Sequence, residues 1–404
     1  MATASIPHTS PLARVEPAGV GLDASRCERL MAVLRDEAAR GRVPGGVALL
    51  ARGGRIALFD SFGVQDPATA QPMRRDSIFR IYSMTKPLVS VAIMMLMERG
   101  QLLLSDPVSR FIPAFAGTQV AVEHEGQVSL RAPAQPPTVQ DLLRHTAGLS
   151  YEFLGTSHVQ RAYVQARVGS RERTNAELCD ALAGIPLMFE PGRMWEYSRA
   201  TDVLGRIVEV VSGRTLGDFL KDEILDPLGM VDTSFHVPPA QQHRIAEPFA
   251  HDPDGGVPYK VFDPRVVPKL ELGGGGLMST AMDYARFVQM MLNRGELGGV
   301  RLLSPTTVDY MTCDHLGTIA VNGTLLPPGH GFGLGFAVRT HAGLAPVPGS
   351  VGLYYWGGIA GTTFFVDPAE ELFAILMIQA PNQRDYYRPL FRDLVYASLV
   401  ETRA

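Results

Sequence analysis

The chain has 404 residues, 46% of them hydrophobic and 19% charged, with a formal net charge of -4. That apolar share suffices for one large core or two medium ones and excludes an intrinsically disordered chain. A mildly negative chain has no broad positive field, so neither nucleic acid nor an anionic membrane surface is an expected partner.

The first stretch, Met1 to Ala18, holds Pro7, His8, Pro11, Arg14 and Pro17 and lacks the apolar run of a secretory signal. It is expected to be a loose arm on a cytoplasmic protein. From Asp23 to Arg40, Leu30, Val33 and Leu34 recur at helical spacing. Gly46 to Phe62 reads as a hairpin, with Val47, Leu49 and Leu50 before a Gly53-Gly54 turn and Ile56, Leu58 and Phe59 after it. A second helix begins at Ser83 and runs through Val89, Ile93 and Leu96 to Gly100. Its apolar stretch, Leu88 to Met97, is about half of the roughly 20 residues a membrane span needs, so no transmembrane helix is expected.

The centre is helical and loop-rich, with helices expected over Val139 to Leu143, Asn175 to Ala183 and Asp202 to Val211. Glycines 273 to 276 then precede a helical stretch from Ala281 to Leu292. Strands are expected over Gly333 to Arg339, Tyr354 to Trp356, Thr362 to Val366 and Phe373 to Ile378, and a last helix over Arg388 to Val400. Strands at both ends around a helical middle suggest one discontinuous α/β domain, 19–110 with 255–404. A helical domain, 111–254, would be inserted in it, with the active site at their interface.

Ser83-Met84-Thr85-Lys86 is an S-x-x-K sequence at a helix start, where residues three apart share one face. A serine hydroxyl is a weak nucleophile until a neighbour takes its proton, and a partly desolvated lysine can be that neighbour. Only Lys86, Lys221, Lys260 and Lys269 supply lysine, but the motif alone is weak, since Ser83 could equally cap the helix. Cys27, Cys179 and Cys313 lie far apart and are expected as reduced thiols. Neither a metal nor an organic cofactor is expected: His124-Glu125 lacks the second histidine of a zinc helix, and the glycine clusters do not form G-x-G-x-x-G. Pro348-Gly349-Ser350-Val351-Gly352 departs from the G-x-S-x-G of α/β-hydrolases at its first position.

The context Phe79 to Pro87 resembles the nucleophile region of class C β-lactamases and of the family VIII carboxylesterases that share their fold. Leu142-Leu143-Arg144-His145-Thr146-Ala147-Gly148-Leu149 and Phe189-Glu190-Pro191-Gly192, followed by Trp195-Glu196-Tyr197-Ser198, resemble two further blocks of that superfamily. The resemblance continues through Gly273 to Ser279, Gly331 to Phe336 and Trp356 to Thr363. It implies a β-lactamase/transpeptidase-like fold, an antiparallel sheet flanked by helices with an inserted mainly helical domain. It also implies a catalytic group of Ser83, Lys86 and Tyr197, and an oxyanion hole from the backbone N–H groups of Ser83 and Ile359. His145 is expected to be structural.

Two positions depart from the β-lactamases. Arg199 replaces the asparagine of Y-x-N, and Trp356-Gly357-Gly358 replaces K-T-G, as in family VIII esterases. Arg199, Trp356, Gly357 and Gly358 are therefore expected to line the substrate site. Removing the lysine that meets a β-lactam carboxylate favours neutral substrates. The expected activity is serine carboxylesterase action on short-chain acyl esters through an acyl-enzyme, with weak β-lactam hydrolysis at most. β-Lactamase, D-amino-acid peptidase or amidase, and acyltransferase activities are the alternatives on this fold.

Overall fold

The computed structural model describes residues 12–125, 127–256 and 258–403. The amino-terminal hairpin forms as β1 (Gly45–Arg52) and β2 (Arg55–Asp66), turned at Gly53 and Gly54. Both glycines have positive φ, 57° and 72°, which a tight two-residue hairpin turn requires. β3 (Gln71–Pro72) lies at the edge beyond β2. The carboxy-terminal part adds β4 (His330–Phe332), β5 (Ala337–Arg339), β6 (Tyr354–Gly357), β7 (Thr363–Asp367) and β8 (Leu372–Ile378). The eight strands order as β4-β5-β6-β7-β8-β1-β2-β3. β1 and β8 pair antiparallel, from Gly46 opposite Ile378 to Arg52 opposite Leu372, which joins the two ends of the chain in one sheet.

Both faces of this sheet are covered, which is why β1 and β8 read as unbroken apolar runs and not as alternating strands. The alternation instead divides β1 between two cores. Ala48 and Leu50 meet Leu30 and Leu34 of the helix Ala24–Ala39 and Phe391 and Val395 of the carboxy-terminal helix Arg384–Ala397. Val47 and Leu49 belong with Leu88 and Ile93 of the helix Thr85–Glu98 and with Phe287 of Ala281–Leu292. Thr85–Glu98 is buried from Thr85 to Leu96, its mostly apolar residues covered on every side, with Lys86 and Ser90 buried among them. Its core continues into the middle of the chain through Val203, Leu204 and Ile207 of the helix Ala200–Ser212.

Three expectations are corrected. Gly333 to Phe336 form no strand; pairing resumes only at Ala337, because Gly335 turns at φ 100° against Ser90 of the helix Thr85–Glu98. The last helix starts at Arg384, earlier than Arg388, and carries Pro389 inside it. Residues 12–18 are not loose: Leu12 is buried and Arg14 bridges to Ile56 of β2, while the rest of the arm, residues 1–11, lies outside the described residues. Among the described residues no helix is long and apolar enough to cross a membrane.

Candidate active site

Ser83 lies in a 3-10 turn, Tyr82–Met84, that leads into the helix Thr85–Glu98. Neither turn nor helix takes a side-chain cap, so the Ser83 hydroxyl is not spent as an N-cap. The turn is strained: Tyr82 has φ 44°, a left-handed conformation that costs a bulky residue about 1 kcal/mol or more. It is held from several sides. Ile81 N–H bonds Leu277 O at 3.1 Å, Tyr284 Oη donates to Met84 O at 2.9 Å, and the Tyr82 ring packs edge-on against Phe262.

Lys86, one helical turn on, is 1% exposed. Its Nζ donates to Gly274 O at 2.6 Å and to Tyr151 Oη at 3.0 Å, and stands 3.4 Å from Ser83 Oγ. An ammonium has three donors and no acceptor, and here three oxygens surround it. Tyr197 enters from the segment before the helix Ala200–Ser212. Its Oη is 2.6 Å from Ser83 Oγ, and Lys86 Nζ sits 4.5 Å from the centre of its ring. The indole N–H of Trp356 donates to the same phenol oxygen at 3.3 Å. Burial, then the neighbouring Tyr197, hold Tyr151 well above the usual phenol range, so Tyr151 offers Lys86 a neutral oxygen.

Arg199 does not point a free guanidinium at a substrate. It is buried, donating to Glu152 at 2.5 and 3.0 Å and to Asp202 at 3.3 Å. Burial would lower its pKa, but Asp202 and Glu152 hold it above the ordinary value. The asparagine position of the β-lactamases is thus filled by an ion-pair network that reaches Lys86 indirectly. Asp202 accepts the Gly274 N–H at 2.6 Å, and the carbonyl of that glycine holds Lys86. Burial raises the Asp202 pKa, while Arg199 and Lys86 oppose the rise.

The two glycines of Trp356-Gly357-Gly358 have separate steric reasons. A side chain on Gly357 would meet the Arg388 guanidinium at 2.6 Å, and one on Gly358 would collide with Ile81 O next to the Ser83 turn. Their absence lets the end of β6 lie against that turn. Ile359 follows, half exposed, and its N–H has no acceptor among the described residues. His145 is buried 5.0 Å from the Tyr197 ring, with Nδ1 3.0 Å from Ser198 Oγ. Burial, then Lys86, push its pKa well below 6.5, so it is a neutral packing group. Phe153 stacks on Tyr151 at 4.8 Å and stays largely exposed.

The structure therefore brings together Ser83, Lys86, Tyr197 and Trp356, with Gly357 to Ile359 alongside. Sequence reasoning missed Tyr151, Gly274 and Asp202. Tyr151 lies just two residues past the Leu142 to Leu149 block, and Asp202 is a buried carboxylate on a helix whose other buried residues are, Thr201 apart, apolar.

The beta-lactamase family model matches residues 29–397. The chain belongs to that family. Esterase EstB of Burkholderia gladioli is 33% identical, over 95% of this chain and 99% of that one. Among solved structures, EstCE1, described as a hydrolase with promiscuous acyltransferase activity, aligns with a TM-score of 0.77 at 29% identity, covering 92% of this chain and 98% of its own. Simvastatin synthase (LovD) of Aspergillus terreus aligns with a TM-score of 0.78 at 25% identity, covering 94% and 100%. This member of the family is a serine hydrolase on the β-lactamase/transpeptidase-like fold, related to esterases.

Proposed function

We propose that the chain is a carboxylesterase that cleaves short-chain acyl esters through an acyl-enzyme on Ser83. The observation that carries this reading is the 2.6 Å approach of Tyr197 Oη to Ser83 Oγ beside the buried Lys86. Tyr197 and Lys86 act as one coupled base, with Lys86 Nζ 4.5 Å from the centre of the Tyr197 ring and the Trp356 N–H donating to the phenol oxygen. This base takes the hydroxyl proton as Ser83 Oγ attacks the ester carbonyl. The carbonyl oxygen becomes an oxyanion received by the Ser83 and Ile359 N–H groups, donors typically worth a few kcal/mol of barrier each. Collapse breaks the C–O bond, and the leaving alkoxide takes the proton from Tyr197. Water then repeats the cycle: it gives a proton to Tyr197, attacks the acyl carbon, and releases the acid as Ser83 regains its proton.

The apolar indole of Trp356 and the commitment of Arg199 to Glu152 and Asp202 support neutral acyl esters over β-lactams, whose carboxylate and side-chain amide would find no K-T-G lysine and no asparagine. The promiscuous acyltransferase activity of EstCE1 supports a second outcome, discharge of the same acyl-enzyme by an alcohol in place of water. The test is labelling with a fluorophosphonate followed by peptide mass spectrometry, together with turnover of p-nitrophenyl acetate and butyrate. The adduct is expected on the Ser83 peptide; an adduct elsewhere, or full turnover by Ser83→Ala, would overturn the proposal.

A further inference from the structure

The carboxy-terminal helix sends one side chain toward the end of β6 that the chemistry above does not use. Arg388 Nη2 donates to Gly358 O at 2.6 Å. The same oxygen accepts the N–H of Gly361 at 3.0 Å, so two donors hold this carbonyl. Gly358 O and Ile359 N–H are the two ends of one planar peptide. Fixing the oxygen fixes the direction of the N–H, and pulling electron density toward the oxygen makes that N–H a stronger donor, since hydrogen bonds in series polarise one another.

We propose that Arg388 is a positioning residue of the oxyanion site, orienting and polarising the Gly358–Ile359 peptide so that its N–H is set for the negative charge that develops on the substrate carbonyl. This rests on the reading of Ser83 as nucleophile and Ile359 as oxyanion donor. Two observations support it independently of that bond.

Gly357 is the first. A Cβ there would come within 2.6 Å of Arg388 Nη2 and 2.8 Å of Cζ, so the guanidinium occupies the volume that a side chain at the middle of K-T-G would need. Trp356-Gly357-Gly358 thus makes room for a cation behind the strand, where K-T-G presents one on it. The second is the poor local environment of the side chain. Its Nε is buried with no partner, and burial, then the nearby Arg384, bring its pKa down to about 10. No acidic side chain forms an ion pair with it among the described residues. A guanidinium kept there without a carboxylate is costly unless its field does something.

The test compares Arg388→Met and Arg388→Lys with the unaltered enzyme. Steady-state kcat and KM are measured with p-nitrophenyl butyrate. Inhibition constants are measured for an alkyl trifluoromethyl ketone, which adds to the serine as an anionic hemiketal, and for its methyl ketone counterpart, which binds chiefly without addition. The expected result for Arg388→Met is a kcat about tenfold lower at a KM within about twofold, less than the hundredfold or more of deleting an oxyanion donor outright. Binding of the trifluoromethyl ketone should weaken by the same factor as kcat while the methyl ketone is unaffected, and Arg388→Lys should fall between. Unchanged kcat would overturn the proposal, and so would equal weakening of both ketones, which is the mark of a general distortion. If Arg388→Met does not fold, Arg388→Lys decides: a severalfold loss in kcat and in trifluoromethyl ketone affinity supports the proposal, and wild-type values overturn it. A trifluoromethyl ketone that adds to the unaltered enzyme elsewhere than at Ser83 would overturn the nucleophile reading as well, which separates the two failures.

Discussion

Tyr197 Oη lies 2.6 Å from Ser83 Oγ across 114 residues of sequence, closer than Lys86 Nζ, which is three residues away and 3.4 Å distant. The lysine is nearer to Gly274 O and Tyr151 Oη than to the serine. On the proposed mechanism the short path for the Ser83 proton is to the phenol, with Lys86 Nζ 4.5 Å from the centre of its ring. Tyr197→Phe and Lys86→Ala are each expected to lower kcat/KM by orders of magnitude, and the double variant by far less than the product of the two. Multiplicative losses in that double-mutant cycle would contradict a coupled pair.

Tyr151→Phe removes one of the three oxygens around Lys86 and leaves the stacked Phe153 in place. The ammonium then lacks a partner for a buried N–H, at a cost of about 1–3 kcal/mol. Activity should fall about tenfold, with p-nitrophenyl butyrate KM nearly unchanged. A rise in KM alone would instead make Tyr151 a wall of the substrate site.

Asp202→Asn keeps the shape of the Gly274 contact but removes the charge that faces Arg199 and Lys86. A lower kcat and a lower melting temperature are both expected, because the buried Arg199 is left with only Glu152. Thermal unfolding followed by circular dichroism, alongside kinetics, checks this; a variant unchanged in both would remove the network from any role at Lys86.

Selectivity follows from Trp356 and from the occupied guanidinium of Arg199. kcat/KM for p-nitrophenyl butyrate should exceed that for nitrocefin by at least about a hundredfold, the cost of a few kcal/mol for a carboxylate and an amide without partners. Equal values in one buffer would identify the chain as a β-lactamase in practice.

Asp283 provides a stability prediction away from the site. Burial pushes its carboxyl up to about 6 from 3.8, opposed by hydrogen bonds from Asp232 N–H and Thr233. A folded pKa above the unfolded one means that the native state binds the extra proton between these values, so this stabilising contribution is complete below about pH 4 and lost as pH rises through about 6. The melting temperature of Asp283→Asn, relative to the unaltered protein, should therefore rise from pH 4 to pH 7. A flat difference would place the carboxyl at its ordinary pKa.

The residue pattern alone determined the elements whose signals are local. The Gly53-Gly54 hairpin, the helix Ala281–Leu292 and the largely apolar helix after Ser83 each follow from spacing within a dozen or so residues. Ser83, Lys86, Tyr197 and Trp356 were legible because each sits in a short block that resembles one of the family's, and the structure gathers those blocks at one place. What tertiary structure alone decided are the partners of those residues. Nothing near Arg199 in the chain specifies that Glu152 will neutralise it, nor does Gly274 announce that its carbonyl will hold Lys86 from 188 residues away. Gly335 breaks the expected strand because Ser90 occupies the space beside it, and Gly357 is small because Arg388 lies against it. Secondary structure is set by preferences along the chain; which atom fills the space beside a glycine, or satisfies a buried charge, depends on surfaces that meet only after the sheet has joined its two ends.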